Sequence, residues 1–322
     1  MKVLIVGGAG YVGGAVTDIL TQPRYVGDFN FAVATKHQIQ VYDSLLYEES
    51  YRKPVPFVRG DIRDHARLLP LLQWADAVIW LAAVVGDAAC ALDPVATGEV
   101  NQASVAWLAA HFFGRIIFMS TCSVYGAANS ELDESSSTNP LSVYASTKLA
   151  AESYLDSSNA IIFRLGTLFG LSDQFSRVRF DLVVNTLTYH AHQTGRLTVF
   201  GGEQFRPLLH VRDAAAAAVR ALDQTATGVY NLSRSNRQIS DLADQVAMEF
   251  DSVDVVRTPQ KFEDSRNYRV SAEKAMRDLG FSPSHSTTTG ICEIKRLLDE
   301  RRLADPSLPR YWNDRHLERQ AR

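Results

Sequence analysis

Apolar residues along this chain gather into short runs separated by amphipathic stretches and turn residues. Lys2 to Val6 is almost continuously apolar, ends at Gly7-Gly8-Ala9-Gly10-Tyr11-Val12-Gly13-Gly14, and leads into Ala15 to Leu20, which is patterned as an amphipathic helix. The pattern predicts further strands at Ile39 to Tyr42 (ending on Asp43), Pro56 to Arg59 (leading into Gly60-Asp61), Ala77 to Leu81 (ending at Ala82-Ala83), Arg115 to Met119 (ending at Ser120-Thr121) and Ala160 to Leu165. Helices are expected around Asn101 to Phe112 and over the stretch with Tyr144 and Lys148. This alternation predicts an α/β fold: a Rossmann-type doubly wound parallel sheet with right-handed crossovers and its ligand at the carboxyl ends of the strands.

Continuous alternation stops after Leu165. Val178 to His192, Leu197 to Phe200 and Gly201-Gly202 have mixed character. Asp213 to Leu222 and Gly228 to Leu232 are expected to return to the main sheet, and Asn236 to Phe250 and Ala272 to Leu279 to be helices of a smaller mixed α/β lobe. The expected division is therefore 1–165 with 203–232 in the dinucleotide-binding domain, and 166–202 with 233–322 in a substrate lobe. Pro23 to Lys36 is longer than a helix-to-strand turn requires and reads as an ordered loop. The polar end, Glu318 to Arg322, is expected to fray.

Composition narrows the class without changing the fold. The 322 residues are 46% hydrophobic and 21% charged with a formal net charge of -3, which speaks against disorder and against a general affinity for nucleic acid. The apolar stretch at residues 2–6 is too short for a signal peptide or a membrane span, so a cytoplasmic location is expected. Cys90, Cys122 and Cys292 are widely separated and give neither a disulfide framework nor metal-ligand spacing, and the His190-x-His192 pair diverges on a helix. No metal is expected.

Three features carry chemistry. Gly7-x-x-Gly10-x-x-Gly13, with Tyr11 and Val12 inside it, lies between a strand and a helix, where missing side chains let the backbone approach a pyrophosphate at the helix N-terminus. Asp43 at the end of the second strand is placed to accept both ribose hydroxyls of an adenosine, favouring NAD over NADP; a capping aspartate before Ser44 is the other reading. Asp61-Ile62 are candidates to bracket the adenine, and Leu81-Ala82-Ala83 to lie under the pyrophosphate and nicotinamide ribose. Asp87 and Cys90 read as a surface loop, with a substrate-facing role as the alternative. Tyr144 and Lys148, four residues apart, share one helix face, where a lysine ammonium favours the phenolate and brings the tyrosine down from about 10 toward the range a general base needs; taken alone, solvated neighbours on an amphipathic helix are the other reading of this spacing.

Taken in order, Gly7-x-x-Gly10-x-x-Gly13, Asp43, Asp61, Ala82-Ala83, Asn101, Ser120-Thr121 with Val124-Tyr125-Gly126, and Tyr144 with Lys148 resemble the extended short-chain dehydrogenase/reductase family, in its nucleotide-sugar epimerase/dehydratase branch. The resemblance spans nearly the whole chain. It implies an NAD-dependent enzyme in which hydride passes between a sugar carbinol carbon and the nicotinamide, with Tyr144 as base, Lys148 as its electrostatic partner on the nicotinamide ribose, Thr121 as hydroxyl donor, and Asn101 at the cofactor. Phe163 to Gly170 resembles the segment in which a residue at the position of Thr167 contacts sugar or phosphate, although asparagine is common there. Val199 to Asp213 resembles the stretch in which an arginine, here Arg206, grips the diphosphate of a nucleoside-diphosphate sugar, for which the planar guanidinium is suited. Arg266 is a second candidate, or a surface salt bridge. The resemblance also implies a homodimer packed through the helices of Asn101 and Tyr144, whose alanines permit close approach.

One departure bears on the subclass. Sugar 4,6-dehydratases of this branch carry an acidic pair directly after the threonine; this chain has Cys122 and Ser123, both candidates to touch substrate. Cys122 is an acid or base there, or a neutral thiol packed beneath the site. The leading expectation is an epimerase acting at C4, with a 4-keto-sugar reductase or dehydratase and a non-catalytic NAD-binding scaffold as alternatives.

Overall fold

The computed structural model describes residues 1–21, 36–47, 50–259 and 266–321. A seven-stranded parallel sheet is ordered β11-β7-β5-β4-β1-β2-β3, from β1 (Lys2–Val6), β2 (Gln38–Asp43), β3 (Phe57–Arg59), β4 (Ala77–Trp80), β5 (Arg115–Thr121), β7 (Ala160–Leu165) and β11 (Gly228–Leu232). Because side chains alternate across a strand, the continuous apolar runs divide between two faces. Val3, Ile5, Val41, Ile79, Ile117, Ile161 and Phe163 pack under α1 (Tyr11–Thr21) and α8 (Val211–Ala221), whereas Leu4, Val6, Tyr42, Val78, Trp80, Phe118 and Ile162 pack under α2 (His65–Trp74), α5 (Ser104–His111) and α6 (Val143–Tyr154). α8 brings Ala214, Ala215, Ala218 and Ala221 to its buried face, which lets it approach α1 closely.

The smaller body holds a three-stranded sheet, β12 (Ser235–Gln238), β10 (Phe205–His210) and β8 (Thr167–Phe169), and two strand pairs: β9 (Arg196–Phe200) with β13 (Asp254–Thr258), and β6 (Glu131–Leu132) with β14 (Arg269–Val270). Its apolar centre joins Phe169, Val184, Leu197, Leu208, Leu242 and Ile291 from these strands and from α7 (Val183–Thr194), α9 (Ile239–Met248) and α11 (Thr287–Asp299). Four further α-helices, α3 (Asp87–Leu92), α4 (Pro94–Gly98), α10 (Glu273–Leu279) and α12 (Asn313–Ala321), join single helical turns at Glu99–Ala103, Cys122–Tyr125 and Pro309–Tyr311.

Several expectations about elements change. Residues 236–238, assigned to a helix, form part of β12 because antiparallel pairing with β10 outweighs their polar composition. The helix around Asn101 opens with a π-turn, Glu99–Ala103, before α5 begins. Asp87 and Cys90 lie on α3 rather than on a surface loop, with Cys90 fully buried. The polar end is helical through Ala321, held by bonds to Leu46. The ordered loop expected at Pro23 to Lys36 falls almost wholly outside the described residues. Among the described residues, no helix is long and apolar enough to cross a membrane.

Candidate active site

Strand order reverses between β1 and β4, and the crevice at their carboxyl ends is where a doubly wound sheet binds its ligand. Gly7 ends β1 with φ +87°, and a Cβ there would lie 2.5 Å from the Ala82 nitrogen, so only glycine lets the two strand ends meet. A Cβ on Gly13 would lie 2.4 Å from the Gly7 carbonyl, which seats α1 directly on the turn. At Gly10 an added Cβ would meet only the Gly7 carbonyl, at 3.4 Å; the space beside it is open, at the N-terminus of α1.

The Asp43 carboxylate accepts from the backbone of Ala9 at 3.0 Å and Leu45 at 2.7 Å, and burial raises its pKa. These two bonds leave acceptor capacity for ribose hydroxyls. The Tyr47 hydroxyl, four residues on, is buried with no hydrogen-bond partner. The open glycine face, the spare acceptors and the orphaned hydroxyl together fit a dinucleotide. Around them the predicted residues divide. Leu81, Ala82 and Ala83 line the end of β4, half-buried. Tyr11 turns inward and donates to Gly170 O at 2.6 Å, and Val12 packs on the core. Asp61 is committed to Arg63 at 2.7 Å, which holds its carboxyl below the usual range, while Ile62 is core. Asn101 binds both backbone groups of Val84 at 2.8 Å and reaches Thr147 at 3.4 Å, bracing the β4 loop against α6.

α6 begins at the Ser142 cap, whose hydroxyl accepts from Ala145 N at 3.2 Å and donates to Asp87 at 2.7 Å. Tyr144 lies in its first turn, hydrogen-bonded to Thr121 at the end of β5. Burial pushes the Tyr144 pKa above its ordinary value; the negative forms of Cys90 and Asp87 add to this, and the Thr121 bond and the Arg179 charge oppose it. Lys148 is buried, donates to Met119 O at 2.7 Å, lies 4.7 Å over the Phe118 ring, and is lowered by burial to about 8. The expected depression of Tyr144 by Lys148 is thus not the arrangement here: burial dominates, the ammonium is aimed at a carbonyl, and the opposing cation is Arg179.

Sequence reasoning missed the group below this pair. Glu152, one further helical turn along, accepts from Ser120 and from Arg164 at 3.1 and 2.6 Å; Arg164 also donates to the Tyr125 hydroxyl at 2.9 Å, which donates to Asn231 at 2.9 Å. The signal was the four-residue spacing running on from Tyr144 and Lys148 to Glu152. Also missed was the stretch after β8. Ser176 packs on Gly10 O at 3.4 Å, Arg179 lies 5.8 Å over the Tyr11 ring and pairs with Asp181 at 2.8 Å, and buried Lys53 donates to Gly14 O at 2.6 Å and pairs with Asp173.

On the other side of Tyr144, Ser123 contacts the Tyr268 hydroxyl at 3.3 Å and Arg266 at 3.5 Å, and Arg266 pairs with Asp87 at 2.9 Å. Arg206 leaves β10 to donate to the carbonyls of Phe205, at 2.8 Å, and of Arg266. Thr167 pairs with Leu208 at the start of β8, half-buried. Cys122 does not join them: it is fully buried, donates to Arg164 O at 3.2 Å, and burial raises its thiol pKa. Among the described residues, no group of three His, Cys, Asp or Glu side chains is placed to hold a metal.

Fold and crevice define a dinucleotide-dependent enzyme built on a doubly wound sheet. Residues 3–233 match the NAD dependent epimerase/dehydratase family, and the chain belongs to it. It is similar to a UDP-glucose 4-epimerase of Corynebacterium glutamicum (24% identical, covering 91% of this chain and 94% of that one) and to a dTDP-glucose 4,6-dehydratase of Streptomyces niveus (25% identical, 91% of each chain). In fold it resembles UDP-glucose-4-epimerase from Stenotrophomonas maltophila, crystallised with NAD and formylated UDP-arabinopyranose, with a TM-score of 0.78, 22% identity and coverage of 95% of this chain and 100% of that one. The protein is an NAD-dependent nucleotide-sugar modifying enzyme.

Proposed function

We propose that the protein is a nucleoside-diphosphate-sugar 4-epimerase. The observation that carries this reading is the pairing of Tyr144 with Thr121 while the next two side chains, Cys122 and Ser123, offer no acid or base for removing water. Bound NAD supplies a hydride acceptor and donor at one sugar carbon. Thr121 orients the reacting hydroxyl, and Tyr144 takes its proton and later returns it, with the Thr121 bond and the Arg179 charge favouring the phenolate that burial opposes. Lys148, held by Met119, is seated where the nicotinamide ribose is expected, and Asp43 accepts the adenosine ribose. Arg206 and Arg266 converge from β10 and from the segment before β14, which supports a diphosphate site between them, with Ser123 and Thr167 toward the sugar.

In this reading 1–165 with 203–232 hold the cofactor and 166–202 with 233–322 the sugar nucleotide. A homodimer through α5 and α6 is part of it, supported by the exposed Phe113 and Tyr154 at the ends of these helices. So is a cytoplasmic setting, supported by three unbridged cysteines. Proton NMR of UDP-glucose mixed with the purified protein is expected to show UDP-galactose appearing with no net change in nicotinamide absorbance, and Tyr144→Phe is expected to stop it while NAD still binds. Stoichiometric NADH consumption with a keto sugar would instead establish a reductase, and loss of water from the sugar a dehydratase.

A further inference from the structure

Asn313 is 1% exposed and touches three walls of the cofactor crevice. Its side-chain nitrogen donates to Val85 O at 2.8 Å, two residues beyond Ala83 on the loop after β4. Its backbone N–H donates to Asp181 at 3.2 Å, the ion partner of the Arg179 that covers Tyr11 of the glycine turn. Its side-chain oxygen accepts from Arg177, whose guanidinium lies 4.0 Å over the ring of Tyr47, on the loop after Asp43. The same helix secures that loop again: His316 and Gln320 meet Leu46 O at 2.9 and 3.2 Å, and the His316 and Tyr47 rings are 5.2 Å apart.

One element therefore fastens the adenosine side of the crevice to its nicotinamide side. Just before it, Tyr311 and Trp312 are sunk among Val178, Phe180, Ile294, Leu297 and Leu298. α12 itself is nine polar-rich residues, too short to persist alone, and is held by its bonds to loop backbone.

We propose that Asn313 is a positioning residue which, with His316 and Gln320, makes α12 a strap across the mouth of the cofactor crevice. The strap fixes the Leu46–Tyr47 and Val84–Val85 loops around the dinucleotide and slows its exchange. The purpose rests on the epimerase reading, since an epimerase keeps the same nicotinamide through both hydride transfers; the geometry does not depend on it.

The test is the release rate of NADH, followed by its fluorescence when excess NAD is added to the NADH-loaded full-length protein. Asn313→Ala and, separately, the double variant His316→Ala with Gln320→Ala are each expected to release NADH about tenfold faster or more, as loss of about one hydrogen bond's worth of retention predicts. KM for the sugar nucleotide is expected to stay unchanged, a separation that general destabilisation would not produce. Should Asn313→Ala fail to fold, the double variant decides, because His316 and Gln320 are not core residues. Release rates equal to wild type in a folded double variant overturn the proposal. Wild-type protein that holds NADH but epimerises nothing would end the epimerase reading and leave the strap to be judged on release rates alone.

Discussion

Arg266 and Asp87 form an ion pair at 2.9 Å, and Asp87 simultaneously accepts the hydroxyl of Ser142, the cap of the helix that carries Tyr144. A residue proposed to meet the sugar nucleotide is therefore linked to the helix of Tyr144 through one carboxylate. Both partners are only partly buried, so the pair adds little to stability. Arg266→Ala is expected to raise KM for the sugar nucleotide by about tenfold or more, the scale of one charge-assisted hydrogen bond, with the melting temperature and NAD affinity near wild type. Titration calorimetry with both ligands separates the effects, and an unchanged KM would remove Arg266 from the substrate site.

Gly10 and Gly13 are expected to respond differently to the same methyl group. Gly13→Ala places it 2.4 Å from the Gly7 carbonyl, so the turn must shift and the protein is expected to be destabilised. Gly10→Ala meets nothing closer than 3.4 Å and is expected to fold with a normal melting temperature yet bind NAD poorly, because the methyl occupies the space intended for the pyrophosphate. Wild-type NAD affinity in Gly10→Ala would place the cofactor elsewhere.

Lys148 imposes a pH dependence on stability. Burial lowers it from its ordinary 10.5 to about 8, so between those values the unfolded chain binds a proton that the folded chain does not. Stability from this group therefore rises with pH from about 8 toward 10.5, and below about 8 the full cost of the buried ammonium is present. Tyr144, raised by burial, works in the opposite direction above 10.0, where the unfolded chain loses a proton first. Denaturant unfolding of wild type and Lys148→Met is expected to show wild type gaining on the variant as pH rises through that window. A gap that stays constant would mean the ammonium pays no burial penalty.

Glu152 of α6 and Arg164 of β7 are both buried, and removing one leaves an uncompensated charge between that helix and the sheet. Arg164→Met is expected to cost about 3–5 kcal/mol, whereas Arg164→Met combined with Glu152→Leu is expected to recover most of it. Thermal melting of the two variants checks this; equal losses would show that the pair does not act as a unit.

What was legible in the chain is what local order encodes. The strands of the main sheet, the glycine turn, Asp43 at a strand end and the spacing of Tyr144 and Lys148 lie in contiguous stretches whose period and side-chain chemistry are set within a dozen residues. The family resemblance carried the same information further. Residues 236–238 were misread because strand formation there depends on β10, about thirty positions earlier, and not on their own propensity. For Cys122 the sequence left two readings, and the structure bears out the buried thiol rather than the substrate contact: its place beside Thr121 says nothing of direction, and the 3-10 turn at Cys122–Tyr125 turns the thiol to Arg164 O of β7 while Thr121 meets Tyr144.

The sequence by itself determined a doubly wound sheet, a dinucleotide cofactor and the one-face spacing of Tyr144 and Lys148, because those depend on short-range pattern. Only the tertiary structure decided that Lys148 faces Met119 while Arg179 supplies the opposing charge, that Asp87 joins Arg266 to the helix of Tyr144, and that the polar end expected to fray belongs to a helix bonded to Leu46 and, through Asn313, to Val85. Each of these is a contact between residues far apart in the chain, and its geometry exists only after the core has brought their elements together.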